Sequence, residues 1–250
     1  MSQTDPDTRS GPTAILSAIA QEQLGLIEQL GDAHKTSHAG RDFWLGHLHG
    51  QPVVLALSKI GKVAAATTAT ALIERFGVRR ILFTGVAGGL KPGVNVGDVV
   101  VASDFVQHDL DASPLFPRYE VPLYRLTRFA ADAALAELLL KATALAVQNG
   151  FASARIHQGL IASGDRFVSG AAESELLRST LLAAGHEVLA VEMEGAAVAQ
   201  VCHDYDLPFA AVRTISDRAD DSAHIDFPVF VEQVASPYAR EIIGNFLRLL

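Results

Sequence analysis

Between Val191 and Asp220 the chain reads VEMEGAAVAQVCHDYDLPFAAVRTISDRAD, and few folds can accommodate that order of residues. Ala196, Ala197, Val198, Val201 and Cys202 recur at the spacing of one helix face. After a polar break comes the apolar run Pro208 to Val212, which suits a strand covered on both sides. A helix, a short loop and a buried strand make an α/β unit, and α/β folds hold ligands beyond the carboxyl ends of their strands. The stretch opens with Glu192 and Glu194 around Met193 and closes with Arg213, Ser216 and Asp217. Glu194 at a helix start and Asp217 past a strand end can share one pocket. Two carboxylates with a nearby arginine suit acid–base work on a neutral, hydroxylated substrate. The same residues also have ordinary uses, Asp217 as a helix N-cap and Glu194 as partner of a helix dipole.

The rest of the chain repeats the alternation. Ala14 to Leu16 reads as a buried strand, running through Ser17 to Glu22 into a helix with apolar Leu24, Ile27 and Leu30. Glu22 thereby falls near a strand end. Trp44 to Gly50 and Pro52 to Leu57 form an expected hairpin, with His47 and His49 alternating along its first strand. Ser58 to Lys62 breaks the pattern before an Ala/Thr-rich helix from Val63 to Phe76. A strand from Arg79 to Thr84 is expected to end in a tight turn at Gly85-Val86-Ala87-Gly88-Gly89-Leu90. That run has neither the spacing of a dinucleotide fingerprint nor the Lys-Ser/Thr of a phosphate loop. Further strands are expected from Gly97 towards His108, from His157 to Ala162 and from Glu187 to Val191. Helices are expected over Leu126 to Asn149, Ala171 to Gly185 and Val229 to Leu250, where Pro237 starts or kinks the last part. Residues 112–125, with Pro114, Pro117 and Pro122, read as an irregular loop.

These alternations describe an α/β chain: a polar, disordered tail over residues 1–12, then one domain over 13–250. A net charge of −8 argues against nucleic acid or an anionic membrane surface as partner. No apolar run approaches the ~20 residues of a membrane span, and the polar start is not signal-like, so a cytoplasmic protein is expected. Cys202 is expected to be a packed core thiol. Nine histidines include no HExxH and no ligand cluster, so neither a metal nor a cofactor is expected.

Five segments together carry a resemblance: Ala18 to Glu22, Ser58 to Val63, Thr84 to Leu90, Ser163-Gly164-Asp165-Arg166-Phe167-Val168, and Val191 to Glu194 with Arg213 to Asp217. From about residue 13 to the C-terminus the chain resembles the 5′-methylthioadenosine/S-adenosylhomocysteine nucleosidases of the nucleoside phosphorylase superfamily. The resemblance implies a three-layer α/β sandwich with a central mixed, partly barrel-like sheet flanked by helices. It implies hydrolysis of the N-glycosidic bond of an adenine nucleoside carrying a 5′-thioether, giving adenine and the 5-thioribose product, as in methionine salvage.

In that setting Asp217 matches the general acid at adenine N7, and Glu22 the carboxylate that activates water. Arg213 would position the water or Glu22. Glu194 would take the ribose hydroxyls, Phe167 would stack on adenine, the Val168 backbone would read its Watson–Crick edge, and Ser216 would help to hold the base. Met193 and Ile60 would line the sugar and thioether side, Ile19 and Phe227 an apolar slot, with Glu192 and Val86 also in the substrate-binding set. A homodimer is implied, the loop around Leu115 and Pro117 capping the neighbour's pocket. The chain departs from the family at Val86, where serine is usual, at Ile19, where methionine is frequent, and at Leu115, where an aromatic is frequent. The rivals are a purine nucleoside phosphorylase, disfavoured because Ser17-Ala18-Ile19-Ala20 supplies no arginine and Glu22 would repel phosphate, and a non-catalytic nucleoside-binding protein.

Overall fold

The computed structural model describes residues 11–151, 154–218 and 227–250, without the side chains of residues 227 and 228. The first strand, β1 (Thr13–Ser17), is buried along its whole length and ends at a 3₁₀ turn, Ala20–Gln23. Beyond it lie β2 (Gly31–His38), β3 (Arg41–Leu48) and β4 (Gln51–Leu57). The turn between β3 and β4 is His49-Gly50, both at positive φ (50° and 80°), the backbone twist a two-residue hairpin needs. Helix α1 (Lys62–Phe76) buries Ala65, Thr68, Ala69 and Leu72, a stripe at helical spacing, and stops at left-handed Gly77.

Next come β5 (Arg80–Gly89), β6 (Val99–Gln107) and the short β7 (Phe129–Ala130). Helix α2 (Ala133–Asn149) is capped by Asp132, whose carboxylate accepts the Leu135 N–H at 2.8 Å. The chain continues through β8 (Ile156–Ser163), α3 (Ala171–Ala183), β9 (Val188–Glu192), α4 (Gly195–Asp204) and β10 (Phe209–Asp217). It finishes with α5 (Phe227–Phe230), a π-helical turn (Val231–Ala235) and α6 (Ser236–Leu249), with a proline in the first turn of α6.

One mixed sheet joins these strands. β5, β10, β6, β8 and β9 close a ring, because β5 pairs with β10 along one edge and with the end of β9 along the other. From β5 the strands β1, β4, β3 and β2 extend as an open wing. Apolar cores fill both faces: Ala69, Leu72, Ala196, Ala199 and Cys202 under α1 and α4, and Leu135, Leu139, Ile242 and Phe246 under α2 and α6. This is the expected mixed α/β sheet, partly closed and flanked by helices. Cys202 is a packed thiol, pushed up to about 12 by burial.

Several local expectations are corrected. The glycine run is not a turn: β5 continues to Gly89, held by β10 on one side and β9 on the other. No helix follows Glu22. Two 3₁₀ turns (Ala20–Gln23 and Ile27–Gln29) stand there, separated by Gly25 at φ 81°, which ends any helical path. Strand β2 is largely exposed, so it carries no apolar alternation to announce it. His49 lies in the hairpin turn rather than on its strand. The helix expected from Leu126 begins at Ala133, after β7. Pro12 accepts the Arg79 N–H at 3.0 Å, so the expected tail is anchored by residue 12; residues 1–10 lie outside the described residues.

Candidate active site

The chain leaves β1 and turns at once, so that the side chain of Glu22 folds back on its own backbone. Its Oε2 accepts the N–H groups of Ala18 (2.7 Å) and Ile19 (3.1 Å), and its Oε1 accepts that of Val86 on β5 (3.1 Å). Gly85 makes the approach possible: a Cβ there would lie 2.7 Å from Oε1. Gln23, next in the turn, donates its amide to Ile15 and Ala56 carbonyls, pinning the turn to β1 and β4. Glu22 is 4% exposed. Burial raises its carboxyl above the ordinary range, while the Arg213 charge and the three N–H groups pull the other way.

Two further carboxylates flank the start of α4. Glu192, the last residue of β9, has both oxygens occupied. Oε1 accepts the Ser163 hydroxyl and the Gly195 N–H (2.9 Å); Oε2 accepts Gly195 N–H (2.8 Å) and the Arg213 guanidinium (2.8 Å). Glu194 accepts the Gly61 N–H through Oε1 at 2.8 Å. Burial, and then the Glu192 charge, push its carboxyl up to about 8. Asp217 closes β10, where it is paired in register with Gly88 of β5 and accepts the Ser216 hydroxyl at 2.6 Å. The β5 positions that meet Glu22 and Asp217, Val86 and Gly88, are two residues apart, roughly 6–7 Å along a strand.

Around these groups is a cavity of about 300 Å³. Glu22, Glu192, Glu194, Ser216 and Asp217 line it, as do Ile19, Ile60, Val86, Phe167, Val168 and Met193. The sequence had singled out each of them. At its mouth Ile60 and Phe167 are 59% and 48% exposed, whereas Val168 is buried. Arg213 is not on the wall. It lies behind, fully buried, its guanidinium 4.1 Å from the Phe83 ring centroid and bonded to Glu192 and the Phe83 carbonyl. The side chain of Phe227 lies outside the described residues. Sequence reading had not placed Ala18, Ala87, Gly88, Arg166 and Val191 on the wall. Nor had it assigned Ser163, which donates to Glu192 and accepts the Ala196 N–H at 2.7 Å, or Gly61, whose N–H holds Glu194. Gly61 acts through its backbone N–H, and the Ser163 hydroxyl reaches partners about thirty residues away, so no local side-chain pattern signals either.

A cavity ringed by buried carboxylates at strand ends, with apolar walls, places the chain in a class of proteins that work on small polar-and-apolar molecules at the rim of an α/β sheet. The model of the phosphorylase superfamily matches residues 12–248. The 5′-methylthioadenosine/S-adenosylhomocysteine nucleosidase of Anoxybacillus flavithermus is 36% identical over 222 residues, 89% of this chain and 92% of that protein. The protein of the same description from Shewanella denitrificans is 34% identical, covering 94% and 98%. Among solved structures, the Neisseria meningitidis nucleosidase in complex with methylthio-immucillin-A superposes with a TM-score of 0.87 at 36% identity, covering 96% of this chain and all of that one. The futalosine hydrolase of Helicobacter pylori superposes at 0.85 with 33% identity, covering 96% and 98%. The chain belongs to the 5′-methylthioadenosine/S-adenosylhomocysteine nucleosidase family of the phosphorylase superfamily and is an N-glycosyl hydrolase.

Proposed function

We propose that the cavity hydrolyses 5′-methylthioadenosine and S-adenosylhomocysteine to adenine and the 5-thioribose product. The observation that supports this most is the juxtaposition of Glu22 and Asp217 on one small cavity, fixed to positions two residues apart on β5. Cleaving an N-glycosidic bond needs a donor for the departing base and an acceptor for the proton of the attacking water, the logic of glycoside hydrolysis. In this reading Asp217 gives a proton to adenine N7 as the C1′–N9 bond breaks. Glu22 takes a proton from water as its oxygen bonds C1′. Raising the Glu22 carboxyl brings a base closer to working pH, and three fixed N–H donors still favour its charged form.

The remaining roles follow from chemistry and placement. Glu194 takes the vicinal hydroxyls of ribose, for which a carboxylate with one free oxygen is suited. Phe167, half exposed at the mouth, gains cover by stacking on adenine, and the Val168 backbone reads the base edge. Ser216 orients Asp217 through its 2.6 Å hydrogen bond. Met193, Ile60 and Ile19 take the apolar 5′-thioether, with Phe227 beside them. Val86 presents an apolar side chain beside Glu22, so the water is held by carboxylate alone on that side. We assign Glu192 and Arg213 to positioning rather than to contact with substrate, since each is already bonded to the other. Water rather than phosphate is the acceptor because Glu22 would repel an anion at the sugar face. We also propose a homodimer in which the loop around Leu115 and Pro117 covers the neighbour's cavity mouth; Leu115 is 84% exposed in the single chain.

Adenine release from methylthioadenosine, with and without phosphate, tests the reaction for wild type and Asp217→Asn. Rapid release indifferent to phosphate, and a loss on the order of 10²–10⁴-fold in the variant, are expected. Release that requires phosphate, or an unimpaired variant, would overturn the reading.

A further inference from the structure

The first turn of α1 has no cap of its own. Its N-cap residue is Gly61, at φ 95°, and no acidic side chain follows in the first turn. The free N–H groups of a helix start need acceptors, and here two carboxylates from distant parts of the chain supply them. Gly61 N–H donates to Glu194 Oε1 at 2.8 Å, and Lys62 N–H donates to Asp165 Oδ1 at 2.7 Å.

Asp165 is itself tightly held. Its N–H donates to Asp109 Oδ2 at 2.8 Å, and Asp109 Oδ1 accepts the Lys62 ammonium at 2.5 Å. Lys62 therefore meets Asp165 through its backbone, Asp165 meets Asp109 through its backbone, and Asp109 returns to the side chain of Lys62. Burial pushes the Asp109 carboxyl up, but Lys62 and the Asp165 N–H more than offset this and leave it below the ordinary range. The Lys62 ammonium also donates to Gln107 Oε1 at 3.1 Å, which ties the ring to the end of β6.

None of Lys62, Asp109 and Asp165 lines the cavity, yet the ring joins the two segments that do: residues 58–62, carrying Ile60, and residues 163–168, carrying Phe167 and Val168. Its second consequence concerns Glu194. With Asp165 seated on Lys62 N–H, Glu194 holds only Gly61, and among the described residues its Oε2 takes no hydrogen bond. That oxygen is left for a ligand.

We infer that Asp165 is a positioning residue for sugar recognition: by occupying Lys62 N–H it fixes the start of α1 and keeps Glu194 Oε2 available to a ribose diol. The inference rests on the role proposed above for Glu194. Without Asp165, the vacant Lys62 N–H competes for Glu194, and the carboxylate turns from the sugar towards the helix end.

The test compares full-length wild type, Asp165→Ala and Asp165→Asn with 5′-methylthioadenosine and its 2′-deoxy analogue, following adenine release and thermal melting. Asp165→Ala is expected to raise KM for the ribonucleoside on the order of 10–100-fold, the size of the two hydrogen bonds a diol would lose at about 1 kcal/mol each. The rate constant kcat should stay within about threefold, since ground-state and transition-state binding are lost together. KM for the 2′-deoxy analogue should move far less, because the sugar contact at issue is already missing. Asp165→Asn keeps an acceptor oxygen and should restore KM to within a few-fold of wild type. Equal KM penalties on both nucleosides, a loss confined to kcat, or unchanged kinetics in Asp165→Ala would each overturn the inference. Should Asp165→Ala melt too low to assay, Asp109→Ala removes the anchor of Asp165 and must show the same selectivity for the ribonucleoside in weaker form. A wild type that never releases adenine would instead sink the proposed function, which separates the two failures.

Discussion

Gly85 offers the sharpest test of how the site is built. A methyl group at this position would lie 2.7 Å from Glu22 Oε1 and 3.1 Å from its carboxyl carbon, where ordinary contact begins at 3.4 Å. In Gly85→Ala the carboxylate must therefore retreat by about 0.7 Å. The Val86 N–H bond, already 3.1 Å, is the first to be lost, since a retreat of that size takes it beyond hydrogen-bonding reach. Overpacking of a filled interior costs about 1–3 kcal/mol, so the variant should fold with a lower melting temperature. Misplacing a reacting group by nearly 1 Å costs on the order of 10²-fold in rate. Steady-state adenine release should thus show kcat down by about 30–100-fold with a small change in KM. Adding Glu22→Asp, one methylene shorter, should recover stability without recovering rate, the non-additivity expected of two residues in contact. Gly150→Ala is the control for rate, because a Cβ there meets nothing within 4 Å and the position is not on the cavity wall, so kcat should stay at the wild-type value. Wild-type kcat in Gly85→Ala, or simple additivity with Glu22→Asp, would refute the reasoning.

Other perturbations give independent checks. Glu194, pushed up to about 8 from an ordinary 4.5 by burial and Glu192, holds a proton in the folded chain that the unfolded chain has lost across that window. Stability therefore falls as pH rises from about 4.5 to 8, by up to about 1.4 kcal/mol per pH unit from this group. Glu194→Gln should flatten the pH profile of the urea midpoint there, and an unchanged slope would count against it. Arg213→Met leaves Glu192 buried without its cation and should cost about 3–5 kcal/mol in chemical denaturation; a loss under about 1 kcal/mol would mean that the ion pair contributes little to stability. Phe167→Ala should raise KM about 5–100-fold if the ring stacks on the base, while the melting temperature of a half-exposed position barely moves. An unchanged KM would remove Phe167 from base recognition.

Much of this was legible in the chain, for reasons that differ by element. Pro208 to Val212 announced a doubly covered strand because nothing polar can face either side of it. A turn at Gly50 was found because flanking apolar runs bracketed a glycine, although His49, the other turn residue, read as part of the strand. Glycine signals failed where the sheet overrode them: Gly85, Gly88 and Gly89 read as a turn, but β10 and β9 supply hydrogen-bond partners that keep β5 extended. The segment after Glu22 read as a helix because Leu24, Ile27 and Leu30 have the right spacing. Tertiary contacts decided otherwise, with Glu22 bonded to Val86 on β5 and Gln23 to the Ala56 carbonyl on β4. In the site, the side chains on the cavity wall were named because their types carry chemistry. Arg213 was named too, but its place behind the wall depends on Glu192 and Phe83, and nothing local encodes that. Asp165, Lys62 and Asp109 went unassigned because their partners, backbone N–H groups for the two carboxylates and the Asp109 carboxylate for Lys62, lie far away in sequence.

The ring closure through β5 also sets an order of events during synthesis. β5 can pair with β1 as soon as the first third of the chain has emerged, but its other edge must wait for β10, well over a hundred residues later. Until then an apolar strand stands with one edge open, the arrangement most prone to pairing with another chain, and contacts of such separation form slowly. Glu22 arrives with the first strand and Asp217 with the last. A chain cut short or clipped before β10 therefore has no residual, graded activity: it lacks the acid altogether and keeps only the adhesive edge.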